Sequence, residues 1–179
     1  MEEKRFQRNV DILDWYDALV FALAVLVLLF AFCARIVVVS GSSMNDTLTD
    51  GDRLLVQSTF YTPQRGDVVV VDGYINYGKP LVKRVIAKGG DTVDIDTDAG
   101  LVYVNGEALG EPYTPEGTLS AGDVTFPLTV PEGTLFLMGD NRQHSTDSRS
   151  SSIGFIDERD ILGKVLLRLY PFDKIGVIQ

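Results

Sequence analysis

The sequence predicts a mostly β protein: a single N-terminal transmembrane helix followed by a coiled or closed antiparallel β-sheet domain. Three observations predict it. Ala18 to Ala34 reads ALVFALAVLVLLFAFCA, seventeen apolar residues without a charge. Beyond residue 40 the hydrophobic period changes from helical to strand-like, in short β-branched runs separated by Gly, Asp, Asn and Pro. Nothing in that remainder carries the pattern of a soluble helix.

The helix comes first. A helix from about Trp15 to Val39 is long enough to cross a hydrocarbon core of roughly 30 Å. A soluble domain of this size has no means of surrounding a segment without a polar face. A cleavable secretory signal would have a shorter apolar region, about 7–15 residues, ending at a small-residue cleavage site. The run here is longer and passes through Arg35 into IVVV, which reads as a retained anchor. Lys4, Arg5 and Arg8 precede it, and Arg35 stands alone after it until Arg53. The excess of basic residues places the N-terminus in the cytoplasm and the rest outside. The division expected is a cytoplasmic tail (1–14), a single-pass anchor in the cell membrane leading into the first strand (15–39) and an extracytoplasmic β domain (40–179).

The β runs follow in order: 36–39, 53–56, 67–71, 82–86, 92–95, 101–104, 124–130, 134–138 and 161–169. Asn105-Gly106 between two of them is a two-residue hairpin signal. So many short strands call for a sheet that coils or closes to protect its edges. Two polar connections interrupt them, Asp72 to Pro80 and Gly139 to Ser152.

Charge and cysteine content remove several function classes. Of the 16 Lys and Arg, four precede residue 40 (Lys4, Arg5, Arg8, Arg35); of the 25 Asp and Glu, five do (Glu2, Glu3, Asp11, Asp14, Asp17). The outer domain therefore carries 12 basic against 20 acidic side chains, a poor surface for nucleic acid. The single cysteine, Cys33, lies in the anchor, which excludes an intrachain disulfide and a thiolate metal cluster. No metal or cofactor is suggested.

Three segments carry chemistry: SGSSMNDTL (40–48), LVKRVI (81–86) and GDNRQHSTDSR (139–149). A serine hydroxyl attacks a carbonyl only if a nearby base takes its proton. A lysine serves as that base only as the neutral amine, so its ordinary pKa of about 10.4 must fall through burial or a neighbouring cation. Lys83, between Val82 and Val85 in an apolar strand, is placed for such desolvation.

These segments, with RGDVVVV (65–71), resemble in order the four conserved boxes of the bacterial type I signal peptidases, in the compact Gram-positive-like form. The last box matches the family's G-D-N-R-x-x-S-x-D-S-R almost position for position. The resemblance implies a membrane-bound serine endopeptidase that removes signal peptides from secreted preproteins with a Ser43/Lys83 dyad. It implies Ser43 as nucleophile and Lys83 as general base. Ser145 would orient the lysine amine, and Asp147 and Arg149 would pair to support the site. Asp140, Asn141 and Arg142 would shape the loop. Gly41, Ser42 and Ser43 would form the oxyanion region, with the Ser43 N–H as one donor, and Met44 and Arg84 would meet the substrate. His144 looks incidental, because the family's histidine variant replaces the lysine itself. The implied partners are signal peptides of preproteins, the lipid bilayer and a nearby secretion translocon.

One departure stands out. The family's proline two residues after the Ser-Met pair is Asp46 here, and a carboxylate there is expected to favour protonated Lys83. The aromatic stretches Phe60-Tyr61 and Tyr74-Ile75-Asn76-Tyr77 are expected to rest at the lipid interface. The alternatives are a specialised Ser/Lys processing protease, of conjugation or accessory secretion, and a non-catalytic membrane-anchored β module that binds secreted proteins.

Overall fold

A computed structural model describes residues 2–75 and 77–178. Helix α1 (Glu2–Cys33) leads without a break into β1 (Ala34–Val38). The helix expected to reach Val39 therefore stops six residues earlier. Ile36, Val37 and Val38 are β-branched and suit a pleated surface, and β2 (Arg53–Gln57) pairs with them from Ala34↔Gln57 to Val38↔Arg53. Every side chain from Leu13 to Leu28 is exposed. Among the described residues no helix is long and apolar enough to cross a membrane; the side chains of 29–32, within the apolar run, lie outside that description, as does Asn76.

The remaining strands are β3 (Val68–Val71), β4 (Leu81–Lys88), β5 (Thr92–Asp96), β6 (Leu101–Val104), β7 (Glu107–Ala108) and β8 (Leu128–Thr129). They continue as β9 (Thr134–Met138), β10 (Ile156–Asp157), β11 (Ile161–Tyr170) and β12 (Gly176–Val177). All pair antiparallel. The larger sheet runs β1-β2-β11-β3-β4-β9-β10, with β12 on β11. The sheet is curled but not closed, since the path ends at β1 and β10.

β3 and β4 sit at its centre and are buried on both faces. Val68 and Val70 join Met44, Leu48 and Leu54 in one core, while Val69 and Val71 join Val85, Leu135 and Leu137 in another. This alternation is the period of two that a pleated strand imposes.

A second sheet, β7-β6-β5-β8, was not separable from the first in the sequence. It packs Val93, Val102 and Val104 on Phe136 and Met138 in a third core. Asn105 and Gly106 both take positive φ (55° and 82°), as the hairpin signal required. The run expected at 124–130 shrinks to Leu128–Thr129, because Pro127 has no N–H to give a ladder.

Candidate active site

Ser43 lies in the turn between β1 and β2, and Lys83 on central β4. The fold brings them together across 40 residues of chain: Lys83 Nζ lies 2.6 Å from Ser43 Oγ. The turn is fixed from below. Met44 is fully buried in the core with Val39 and Leu48, so the residue before it must stand at the core's rim. Gly41, at φ +95°, supplies a left-handed bend, and its N–H is held by Asp50 Oδ1 at 2.8 Å.

Lys83 is 3% exposed. Burial is the largest influence on its amine and pushes the pKa down from 10.5 to about 8. Asp147 pulls it back up, Arg149 lowers it and Asp140 raises it. A substantial fraction of the amine is then neutral near pH 8, the form able to accept the serine proton.

The 139–152 loop holds this pair. Asn141 N–H donates to Ser43 O at 3.1 Å and its Nδ2 to Ser42 O at 3.0 Å. Thr47 Oγ1 donates to Asp140 Oδ2 at 2.5 Å. Asp147 is buried and accepts from Gly139 N–H (2.9 Å) and from Arg149 Nε and Nη2 (both 2.9 Å). Burial opposes its charge, but Arg149 and the Gly139 amide outweigh that and hold its carboxyl below the usual range. Gly139 is required by contact: a Cβ there would come within 2.2 Å of Ser145 Oγ and 2.4 Å of Ser43 O. No local signal in the sequence identifies that constraint.

Ser145 packs against Gly139, and its buried hydroxyl does not hydrogen-bond Lys83. Arg84 is also placed differently from expectation. As Lys83's neighbour on a strand it points to the opposite face. It is 1% exposed, gives Nε and Nη2 to Asp140 (2.9 and 2.7 Å) and Nη1 to Gly66 O (2.7 Å), and its guanidinium sits 3.8 Å from the Tyr113 ring. With its head so occupied, Arg84 anchors the loop rather than meeting substrate. Asp46 is exposed and faces a separate cleft of about 260 Å³ with Glu116, Asn141 and His144. It is not among the charges that act on Lys83.

A cleft of about 450 Å³ opens over the pair, lined by Ser40–Ser43, Lys79–Leu81, His144 and Thr146 among others. A smaller cavity of about 180 Å³ continues beneath it, with walls from Val37, Met44, Val70 and Val82. His144 is exposed on the cleft rim, its Nδ1 3.2 Å from Asn141 Oδ1. Met44 thus forms part of an apolar recess beside the nucleophile.

A hydroxyl against a buried, partly neutral amine, in an open cleft of about 450 Å³, has the chemistry of a serine peptidase. Comparison with known proteins agrees. Residues 12–170 match the family model described as signal peptidase, peptidase S26. The chain is 38% identical to signal peptidase I of Bacillus licheniformis over 97% of both chains. It is 38% identical to signal peptidase I T of Bacillus subtilis strain 168, over 91% of this chain and 88% of that one. A probable signal peptidase I-1 of Synechocystis is 37% identical, over 88% and 82%.

The chain belongs to the signal peptidase family. It is a membrane-associated serine endopeptidase, and its substrates are preproteins that bear signal peptides.

Proposed function

We propose that it cuts with Ser43 as nucleophile and Lys83 as general base, on the outer face of the cell membrane. The 2.6 Å approach of Lys83 Nζ to Ser43 Oγ, inside a buried environment, carries this reading. As Oγ attacks the scissile carbonyl, its proton passes to the neutral amine. The ammonium then returns that proton to the leaving amide nitrogen. Water, deprotonated by the same amine, completes the cycle by hydrolysing the acyl-enzyme. Developing negative charge on the carbonyl oxygen falls to donors in the oxyanion region. The Gly41 N–H is engaged by Asp50, which leaves the N–H groups of Ser42 and Ser43. Asp147 and Arg149 support the site by fixing the loop around the amine.

The substrate's signal peptide lies extended along the cleft. An extended chain turns alternate side chains inward, and the apolar recess of about 180 Å³ suits small ones. The chain beyond the cut leaves over the polar side of the turn, past Asp46 and His144.

The part of α1 from residue 15 onward is the single-pass anchor, with residues 1–14 cytoplasmic and the β domain outside, near the translocon that delivers precursors. Phe60 is 99% exposed and lines an apolar hollow with Cys33 and Ala34 at the helix end, a position suited to the lipid interface. Tyr74 is 95% exposed and belongs to the same surface reading. Tyr61 and Ile75 do not: both pack against the core, and Tyr61 OH donates to Asp67 Oδ2 at 2.8 Å.

The test is cleavage of a labelled precursor by the purified full chain in detergent. Ser43→Ala and Lys83→Ala should each abolish cutting while the wild type releases the signal peptide. Undiminished cleavage by either variant refutes the dyad.

A further inference from the structure

Between β7 and β8 runs a long irregular segment that sequence patterning left without a role. Its side chains and backbone from Glu111 to Asp123 take hold of the 139–152 loop along much of its length. Glu111 grips Arg142 with both oxygens, Oε2 to Nη1 at 2.8 Å and Oε1 to Nη2 at 2.5 Å. Thr118 Oγ1, fully buried, accepts from the same Nη1 at 2.6 Å. Gly117 O accepts from Gln143 Nε2 (3.1 Å), and Ser120 O from Arg149 Nη1 (3.0 Å). Asp123 takes both N–H and hydroxyl of Ser151 (2.6 and 2.7 Å) and gives its own N–H to Arg149 O (3.1 Å). Tyr113 lays its ring on Arg84 and donates its hydroxyl to Glu111 Oε1 at 3.1 Å.

The loop's own arginines are tied back into it. Arg142 Nε donates to Gly139 O (3.0 Å) and Arg149 Nη2 to Arg142 O (2.8 Å). Arg142 is thus a buried cation whose direct ion pair comes from the neighbouring segment, not from the loop it stabilises. Such a charge stripped of its partner is costly, and the chain around it must move or admit water. The charged groups that bear on the Lys83 amine, Asp147, Arg149 and Asp140, all belong to this loop.

We propose that the 111–123 segment is the positioning element of the active site: by clamping Arg142 it holds the 139–152 loop closed over Lys83. Glu111 is its central positioning residue, and Thr118 and Tyr113 assist it. The assignment rests on the Ser43/Lys83 reading and adds to it a part of the molecule that touches neither residue.

The consequence is specific. A loosened loop admits water to a base whose neutrality depends first on burial, so the amine regains affinity for its proton. Activity then requires higher pH. A residue that merely supported the fold would lower the amount of competent enzyme without moving that dependence.

The experiment measures kcat/KM against pH for the full chain in detergent, on a precursor with small residues before the cut, with thermal melting as a check on folding. Glu111→Gln should reduce kcat/KM about 10- to 100-fold, mainly through kcat, and move the acid limb to higher pH. Glu111→Asp should recover part of the rate and most of the limb position. If Glu111→Gln does not fold, Tyr113→Phe keeps the ring on Arg84, loses only the hydroxyl on Glu111, and should move the limb the same way by less. A folded variant whose acid limb stays at the wild-type pH overturns the proposal, whatever its rate. An active Lys83→Ala enzyme overturns the dyad and this proposal with it; an inactive Lys83→Ala beside an unmoved limb in the Glu111 variant overturns this proposal alone.

Discussion

Lys83 and Arg84 are consecutive residues on the central strand, both buried, and the strand turns them to opposite faces. Arg84 meets a carboxylate in a two-point pair, a carbonyl and an aromatic ring. Lys83 meets a serine hydroxyl and, among the described residues, has no carboxylate in ion-pair contact. One buried cation is matched by a carboxylate, a carbonyl and a ring. The other is left short of compensation, and its pKa falls to about 8. Similar burial leaves a charge-paired anchor on one side and, on the other, the amine we propose as the base; the difference is how many anionic partners each side supplies.

The largest effect expected from breaking this contrast is on the Lys83 side. Lys83→Met keeps an apolar chain of similar length and removes the base, so cleavage should fall by about 10²- to 10⁴-fold or more. Stability should move the opposite way. The folded amine titrates near 8 and the unfolded one at 10.5, so between those values the unfolded chain binds more protons. Wild-type stability therefore rises as pH climbs from about 8 to about 10.5, by about 3 kcal/mol. Below pH 8 that whole amount is the cost of burying the ammonium. Lys83→Met should be more stable than wild type at pH 7, with the gap closing by pH 10.5. Denaturation of detergent-solubilised protein at several pH values reads it. A variant no more stable at pH 7, or a wild type with a flat profile, would show that the amine is not held against its charge.

On the other face the sign reverses. Arg84→Ala strands the buried Asp140 carboxylate and should cost about 3–5 kcal/mol, in contrast to the gain at its neighbour. Adding Asp140→Asn removes the stranded charge and should recover a good part of the loss, a coupling that a double-mutant cycle measures. Independent, additive effects would mean that the pair is not the unit that anchors the loop.

What could be read in the sequence divides along the same line. Ser43, Lys83 and the 139–149 segment were legible because their residue types and order are local patterns. The N-terminal helix, most strands and the Asn105-Gly106 turn followed from hydropathy period and turn chemistry. The resemblance implied that Arg84 meets substrate; the sequence held no sign that its guanidinium is taken up by Asp140, Gly66 and Tyr113, because those partners lie far along the chain. Ser145 was expected to bond the amine, and its buried hydroxyl does not. The second sheet and the 111–123 segment were invisible for a common reason. Each is defined by contacts between distant parts of the chain, and neither leaves a period or spacing in its own residues.

Asp46 offers the finest test of the contrast, since it asks whether any nearby carboxylate can turn Lys83 toward its neighbour's condition. The sequence placed it two residues after Met44, close enough to be expected to favour the ammonium. In the fold it is exposed and faces the cleft of Glu116 and His144, while the charges acting on the amine come from Asp147, Arg149 and Asp140. Water at an exposed carboxylate screens its reach. Asp46→Asn should therefore leave stability within about 0.5 kcal/mol of wild type and the acid limb of kcat/KM where it was. Asp46→Pro should behave likewise at that limb. If Asp46 did hold the proton on Lys83, removing its charge would lower the amine's pKa and shift the limb to lower pH. A clear downward shift in Asp46→Asn would mean that compensation of this base extends beyond the buried loop, through the solvent side of the nucleophile turn.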